Sequence, residues 1–323
     1  MTVEEVGPAR GSSRTAPASH TRTLVAMAVG ALAISFAAIF FRLAPGVDPL
    51  LASAIRLGIA ALVLAPVVVR AWRSGGISRA ARHAAVWAGL FYAVHFGTWV
   101  ASLSRTTVAA SVTLVTATPL LSALVAFAEG KDRPTRRHGI AIVLALGGVA
   151  LIAGSDVAGG RWDGDLLALA GAAAMVAYLR LVRGLGDELG DTVAFSGLAA
   201  GWGALFLLPA LALAAVLGGD DATSALAMPS TGALGWIALS ALVPQVVGHT
   251  LLTYALRRAT PTEVGLATAA EPVLSTLLAW FWLAEVPTSL VFCGCAVTLV
   301  GVVLGARPGA PRDGVEKLRK SGA

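Results

Sequence analysis

Long apolar runs, interrupted by brief polar or Gly/Pro-bearing stretches, organise nearly the whole chain. A helix needs about 20 apolar residues to cross a bilayer. Ten runs approach or exceed that length, at residues 24–41, 49–69, 84–104, 107–128, 138–154, 165–183, 192–217, 231–256, 260–284 and 287–306. The gaps are short. Ser104 to Thr106 predicts a tight antiparallel hairpin between the third and fourth spans, and Arg257 to Thr260 predicts another between the eighth and ninth. The pattern predicts an all-α integral membrane protein of ten transmembrane helices. Residues 1–23 are polar and read as a disordered tail carrying Arg10, Arg14, His20 and Arg22. The run after them exceeds a signal-peptide core and lacks a clear cleavage signature, so it is expected to stay as the first span. Residues 307–323 form a second polar tail with five basic residues.

The apolar runs repeat. A shift of 153 residues places Pro119 on Pro272, Leu103 on Leu256, Arg105 on Arg258, Thr107 on Thr260, Ser122 on Ser275 and Ala126 on Ala279. It also superposes Pro134-Thr135 on Pro287-Thr288 and Gly148-Val149 on Gly301-Val302, without a gap. Two five-helix units follow, at 24–154 and 165–306. A duplicated bundle of apolar helices suggests a route between related halves, an arrangement found in many secondary transporters.

Composition sharpens this picture. The chain is 57% hydrophobic and 13% charged, with a mean hydropathy of +0.79, against about 25% charged residues in soluble domains. The net charge of +6 does not indicate nucleic acid, because the basic residues sit between apolar runs. With the N-terminus inside, the inner segments, counting Arg180 and Arg183 at the inner end of the sixth span, hold 20 of the 24 Lys and Arg residues; the outer loops hold only Arg42, Arg105 and Arg161, and Arg56 lies within the second span. That bias predicts both termini inside. Five spans per unit is odd, so the second unit enters from the opposite face and the halves are inverted. The loop after span four carries Lys131, Arg133, Arg136 and Arg137, whereas its counterpart after span nine has no Lys or Arg and aligns Glu285 with Asp132.

These residues resemble the EamA family within the drug/metabolite transporter superfamily. The segment Glu271-Pro-Val-Leu-Ser-Thr-Leu-Leu-Ala-Trp-Phe-Trp-Leu-Ala-Glu285 is similar to the signature of that family's second repeat, and Pro119-Leu-Leu-Ser-Ala-Leu-Val-Ala-Phe-Ala128 is its first-repeat counterpart. The chain departs by having Glu129-Gly-Lys-Asp132 where the family has an apolar pair and Gly-Glu. The resemblance implies an exporter of small metabolites or drugs in the cytoplasmic membrane, with the lipid bilayer and a small-molecule substrate as partners and both termini inside. A homodimer is compatible with it.

Ionisable groups deep in a membrane are costly and mark function by default. Glu271, near the middle of span nine, must be protonated or paired; it reads either as a coupling or substrate group or as a neutral acid bonded to a neighbouring helix. Its repeat mate is Thr118, expected along the same substrate pathway, so the acid occurs in one half only. Pro119 and Pro272 each free the carbonyl four residues back, and read as hinges or as packed kinks. Tyr92, His95, Trp99 and Ser102 share one helical face, which suits cavity lining or plain packing. Gln245, His249 and Thr253 form a polar stripe beside Pro244, read as lining or as polar contacts between helices. Arg56 either snorkels outward, the plainer reading, or serves as counter-ion to Glu271 or to an anionic substrate. Cys293 and Cys295 read as small buried hydrophobes. Gly197-x-x-x-Gly201 and Gly301-x-x-x-Gly305 fit close helix packing, and Trp87, Trp236, Trp280 and Trp282 fit interfacial belts.

No metal set or cofactor is expected; His95 and His249 do not by themselves make a metal pair. No G-x-x-x-x-G-K-[ST] loop occurs, so the expected activity is secondary transport by alternating access, with proton antiport through Glu271 or uncoupled facilitation as the energy source. A membrane enzyme would need converging catalytic groups, and a receptor would be expected to carry larger extramembrane domains.

Overall fold

The computed structural model describes residues 17–118, 121, 125, 128, 136–158, 161–217, 227–258, 268 and 271–306. Pro119, the far half of the expected fourth span, the start of the ninth, residues 1–16 and the second tail lie outside them; Pro17–Thr23, expected to be disordered, instead form the first turns of a helix. Regular structure in the described residues is entirely helical: α1 (Pro17–Ser35), α2 (Ala37–Arg42), α3 (Pro49–Arg73), α4 (Arg79–Leu103), α5 (Val108–Val115), α6 (Arg136–Ala158), α7 (Trp162–Leu185), α8 (Thr192–Leu217), α9 (Thr231–Ser240), a π-helical segment (Ala241–His249), α10 (Thr250–Leu256), α11 (Glu271–Leu283) and α12 (Ser289–Ala306), with a 3-10 turn at Gly186–Leu189. Among the described residues, six stretches are long and apolar enough to cross a membrane, and shorter apolar helices accompany them.

Polar residues in the gaps start the helices. Asp48 accepts from the backbone N–H of Leu50 and Leu51 (2.8 and 3.1 Å), with Pro49 at the first helical position. Ser78 accepts from Ala81 N (2.9 Å), Thr107 from Ala110 N (3.1 Å) and Asp191 from Val193 N (2.9 Å). Three spans are less regular than their apolar runs suggest. The first breaks at Phe36, next to Ser35, whose hydroxyl bonds back to Ala31 O (2.8 Å) and so competes with the helix ladder. In the fourth, α5 stops at Val115, four residues before Pro119. The eighth passes through the π segment containing Pro244, where the missing N–H loosens the ladder.

Helix pairing follows the repeat. Counterparts α3 and α8 pack along their length, as do α6 and α12, and α5 packs on α11. Contacts between non-counterparts are matched too: α4 packs on α7 as α1 packs on the π segment and α10. Contacting counterparts run antiparallel. Glu285, just past the end of α11, bonds Val108 N at the start of α5 (3.0 Å). Arg137 at the start of α6 bonds Leu304 O near the end of α12 (2.7 Å). Gly197, early in α8, lies against Leu64 and Val68, late in α3.

Glycines set the closest crossings. A methyl on Gly197 would meet Val68 at 2.7 Å; one on Gly148 would run into Thr298 and stand 2.6 Å from Gly294 O. Such approach suits helices that associate through shape rather than through expulsion of water. The bundle's outside is apolar, with Leu62, Val216, Phe281 and Phe292 exposed, as a hydrocarbon solvent permits. Trp87, Trp280 and Trp282 are exposed there, whereas Trp236 is half-buried and stacks on Phe40 with centroids 5.8 Å apart. Cys293 is exposed on α12, contrary to the expectation that both thiols are buried, because residues two apart on a helix face different ways. Cys295 is buried 3.0 Å from the Thr113 hydroxyl.

Candidate functional site

Side chains from both repeats converge inside the bundle. Arg56, one of the larger side chains on α3, is 0% exposed. It does not snorkel: its face of α3 is turned to α4 and α2, and the guanidinium carbon sits 4.3 Å from the Phe96 ring centroid, 5.5 Å from Phe41 and 5.9 Å from Trp99. Among the described residues none of its three nitrogens has a hydrogen-bond partner, and the guanidinium makes no ion pair. Taking such an ion out of water costs several kcal/mol, and a desolvated cation–π contact returns about 2 kcal/mol or more. The cation is thus only partly compensated by what surrounds it.

Around it lie most of the residues expected from the sequence. Tyr92 is 0% exposed and stacks on Tyr178 with centroids 4.4 Å apart; its hydroxyl lies beside Tyr178 and Gln245 without the geometry of a full bond to either. Tyr178 in turn shares a hydrogen bond with Thr253 (3.1 Å). His95 is buried, its Nδ1 2.8 Å from Gly171 O on α7, and its ring stacks on Trp99. His249 packs edge-on against Phe96 (5.3 Å). Glu271, 9% exposed, opens α11, and its charge and that of Arg56 act on each other. Ser53 anchors α3 to α4 by donating to Phe96 O (3.0 Å).

The repeat explains why these residues meet. Under the shift of 153, Tyr92 maps onto Gln245 and Phe96 onto His249. Each of these pairs is in contact. A residue can touch its own counterpart only where the two repeats meet, so the cluster lies at their junction. The sequence did not single out Phe41, Phe96 or Tyr178. Tyr178 had a usable signal: only three tyrosines occur, and this one lies in mid-span.

Other expected residues fall elsewhere. Thr118 donates to Val115 O (2.9 Å), the carbonyl that Pro119 leaves without its helical donor. This is a local repair of the helix end. Ser102 is tied to Ser111 (2.6 Å) between α4 and α5. Pro272 is buried next to Glu271, and Pro119 lies outside the described residues. Among the described residues no group of three or more His, Cys, Asp or Glu could hold a metal ion.

Both ends of the bundle are laced. At one, Arg42 pairs with Glu285 (3.1 Å) and donates to Thr106 O (2.6 Å), while Glu285 accepts from Val108 N; three inter-helix connections are joined. At the other, Ser78 donates to Glu188 O (2.7 Å), Asp191 N to Gly76 O (3.2 Å), and Arg257 to Gly190 O and Thr192 Oγ1 (2.7 and 3.1 Å). An apolar hollow of about 320 Å³ near this end, beside Arg22, Val29 and Tyr254, has almost no polar lining and is separate from the cluster.

The sequence model of the EamA-like transporter family matches residues 21–154 and again residues 162–306. The chain belongs to the EamA-like transporter family. The two matches are the two repeats, and the protein is a multi-pass membrane protein of a family of small-solute transporters. A solved structure described only as "Crystal structure of protein" superposes with a TM-score of 0.59 over 88% of this chain and 97% of its own, at 22% identity; that likeness bears on the fold alone. No curated protein matches the chain.

Proposed function

We propose that this EamA-like protein is a secondary carrier that exports a small organic solute across the cytoplasmic membrane by alternating access. The observation that carries the reading is the position of the Tyr92, Phe96, Gln245 and His249 cluster: counterparts in contact, at the junction of two halves whose paired helices run antiparallel. Antiparallel counterparts support ten spans in two inverted units, with both termini inside as the Lys and Arg distribution favours. In such a frame each half can adopt the other's conformation, which moves the opening from one side to the other. The ties through Arg42–Glu285 and through Arg257 are then alternative closures, and at least one must break for the cluster to meet solvent.

The test starts by comparing the solutes in the medium of cells with and without the gene, then follows the enriched solute in proteoliposomes. Cysteines replacing Arg42 and Glu285, in a chain lacking Cys293 and Cys295, allow that end to be closed with a short thiol-cleavable crosslinker. Transport should stop on crosslinking and return on reduction. Undiminished transport through the crosslinked protein would refute alternating access. Energy coupling is a separate matter: Glu271, the acid whose charge acts on Arg56, is the group through which proton antiport would run.

A further inference from the structure

We infer that Arg56 is the recognition point for a monoanionic carboxylate, so that the cargo is a small organic acid with a flat apolar body. This rests on the carrier reading above and assigns its substrate class. A guanidinium has five N–H donors in a planar fork that fits a carboxylate edge-on, and apolar rings against its faces leave that edge as the direction for a partner. Here the rings of Phe96, Phe41 and Trp99 lie around the guanidinium and no nitrogen is bonded. A structural arginine buried this deeply would be expected to spend its donors on carbonyls or a carboxylate. Even the part-buried Arg137 and Arg257 donate to backbone oxygens. Arg56 does not.

Charge decides between carboxylate and phosphate. The acid whose charge acts on Arg56 is Glu271, and it stands outside ion-pair distance. One cation and one acid whose charges act on each other, among aromatic rings, balance a single added negative charge when Glu271 holds a proton. A dianion would leave excess negative charge there. The surrounding rings supply area for an apolar body, and the tips of Tyr92, Gln245 and His249 supply polar contacts at its edge.

The test is isothermal titration calorimetry on the purified full-length chain in detergent, with four probes of similar shape: phenylacetate, phenylacetamide, phenethylamine and phenyl phosphate. Phenylacetate should bind tightest, by roughly tenfold or more over the amide, as expected for exchange of a charge-assisted fork for a neutral contact. Arg56→Gln should erase that preference, so that acid and amide bind alike. Arg56→Lys keeps the charge without the fork and should retain only part of it. The wild-type series decides even where Arg56→Gln does not fold. Equal or tighter binding of the amide, amine or phosphate overturns the assignment, as does failure of all four to bind. So does a preference for the acid that survives Arg56→Gln. The crosslinking experiment is read on whatever solute the cells export, so the carrier reading stands or falls independently of these titrations.

Discussion

Replacing Glu285 with Gln should make the bundle open more often at the end that Glu285 ties. The carboxylate holds Arg42 at 3.1 Å and caps α5 through Val108 N at 3.0 Å, with the two side chains 31% and 23% exposed. A hydrogen bond to a charged group contributes about 1.5–3 kcal/mol when well shielded, and an exposed ion pair only about 0.2–1 kcal/mol. Partial exposure places the loss between these, at about 1–2 kcal/mol, since Gln keeps an oxygen for Val108. That corresponds to a roughly 5–30-fold change in the ratio of open to closed states. Ser53→Cys in a chain without Cys293 and Cys295 reports it, because position 53 is 0% exposed and reacts with a charged thiol reagent only on opening. The rate from the Glu285 side should rise by that factor, Arg42→Gln should do the same, and the double variant should add little, as two halves of one interaction. An unchanged rate, or single effects that simply add, would show that the tie does not hold this end shut.

Adjacent glycines on α6 give a sharp contrast. Gly148→Ala presses a methyl into Thr298 and should cost about 1–3 kcal/mol, whereas Gly147 has nothing within 4 Å, so Gly147→Ala should be neutral or stabilise by about 0.5–1 kcal/mol; thermal unfolding followed by size-exclusion in detergent separates them. Tyr178→Phe keeps the stack on Tyr92 but strands the buried Thr253 hydroxyl, so it should lose about 1–3 kcal/mol in the same assay. Glu271→Gln should leave the exported solute moving while abolishing the effect of an imposed pH gradient in proteoliposomes. Transport by that variant that still follows the gradient would remove Glu271 from the coupling.

What the sequence disclosed, it disclosed through periodicity. Apolar run length marked the spans, and the shift of 153 marked the repeat, because both are properties of single helices or of gapless comparison. The interior was legible only as helical faces. Tyr92, His95 and Trp99 could be placed on one face of α4, but spacing within a helix says nothing about what comes to meet that face; Tyr178 and Phe41 arrive from other spans. Arg56 shows the limit most clearly. Its depth in the second span allowed an outward-reaching chain, and only the rings of Phe96 and Trp99 show which way it turned. Thr118 shows the same limit: its place in mid-span marked it as a pathway residue, but spacing could not show that its hydroxyl also donates to Val115 O in its own helix.

Under the proposed carrier reading, the duplication also bears on how related halves can be selective in chemistry. The counterparts differ in backbone as well as in side chain: Tyr92 and Phe96 lie on the regular α4, whereas Gln245 and His249 lie in the π segment. The side chains that meet there differ in chemistry too. Tyr92 faces Gln245, Phe96 faces His249, and Glu271 occupies the position that Thr118 holds in the other half. A ligand bound among them in the proposed carrier therefore meets a different set of groups from each repeat, and can bind the two conformations unequally. A ligand shifts a two-state balance only by its difference in affinity for the states. In a perfectly duplicated protein that difference would vanish, and the only bias left would come from outside. In the proposed carrier, divergence between the halves at these positions is what lets a solute bias which way the bundle opens.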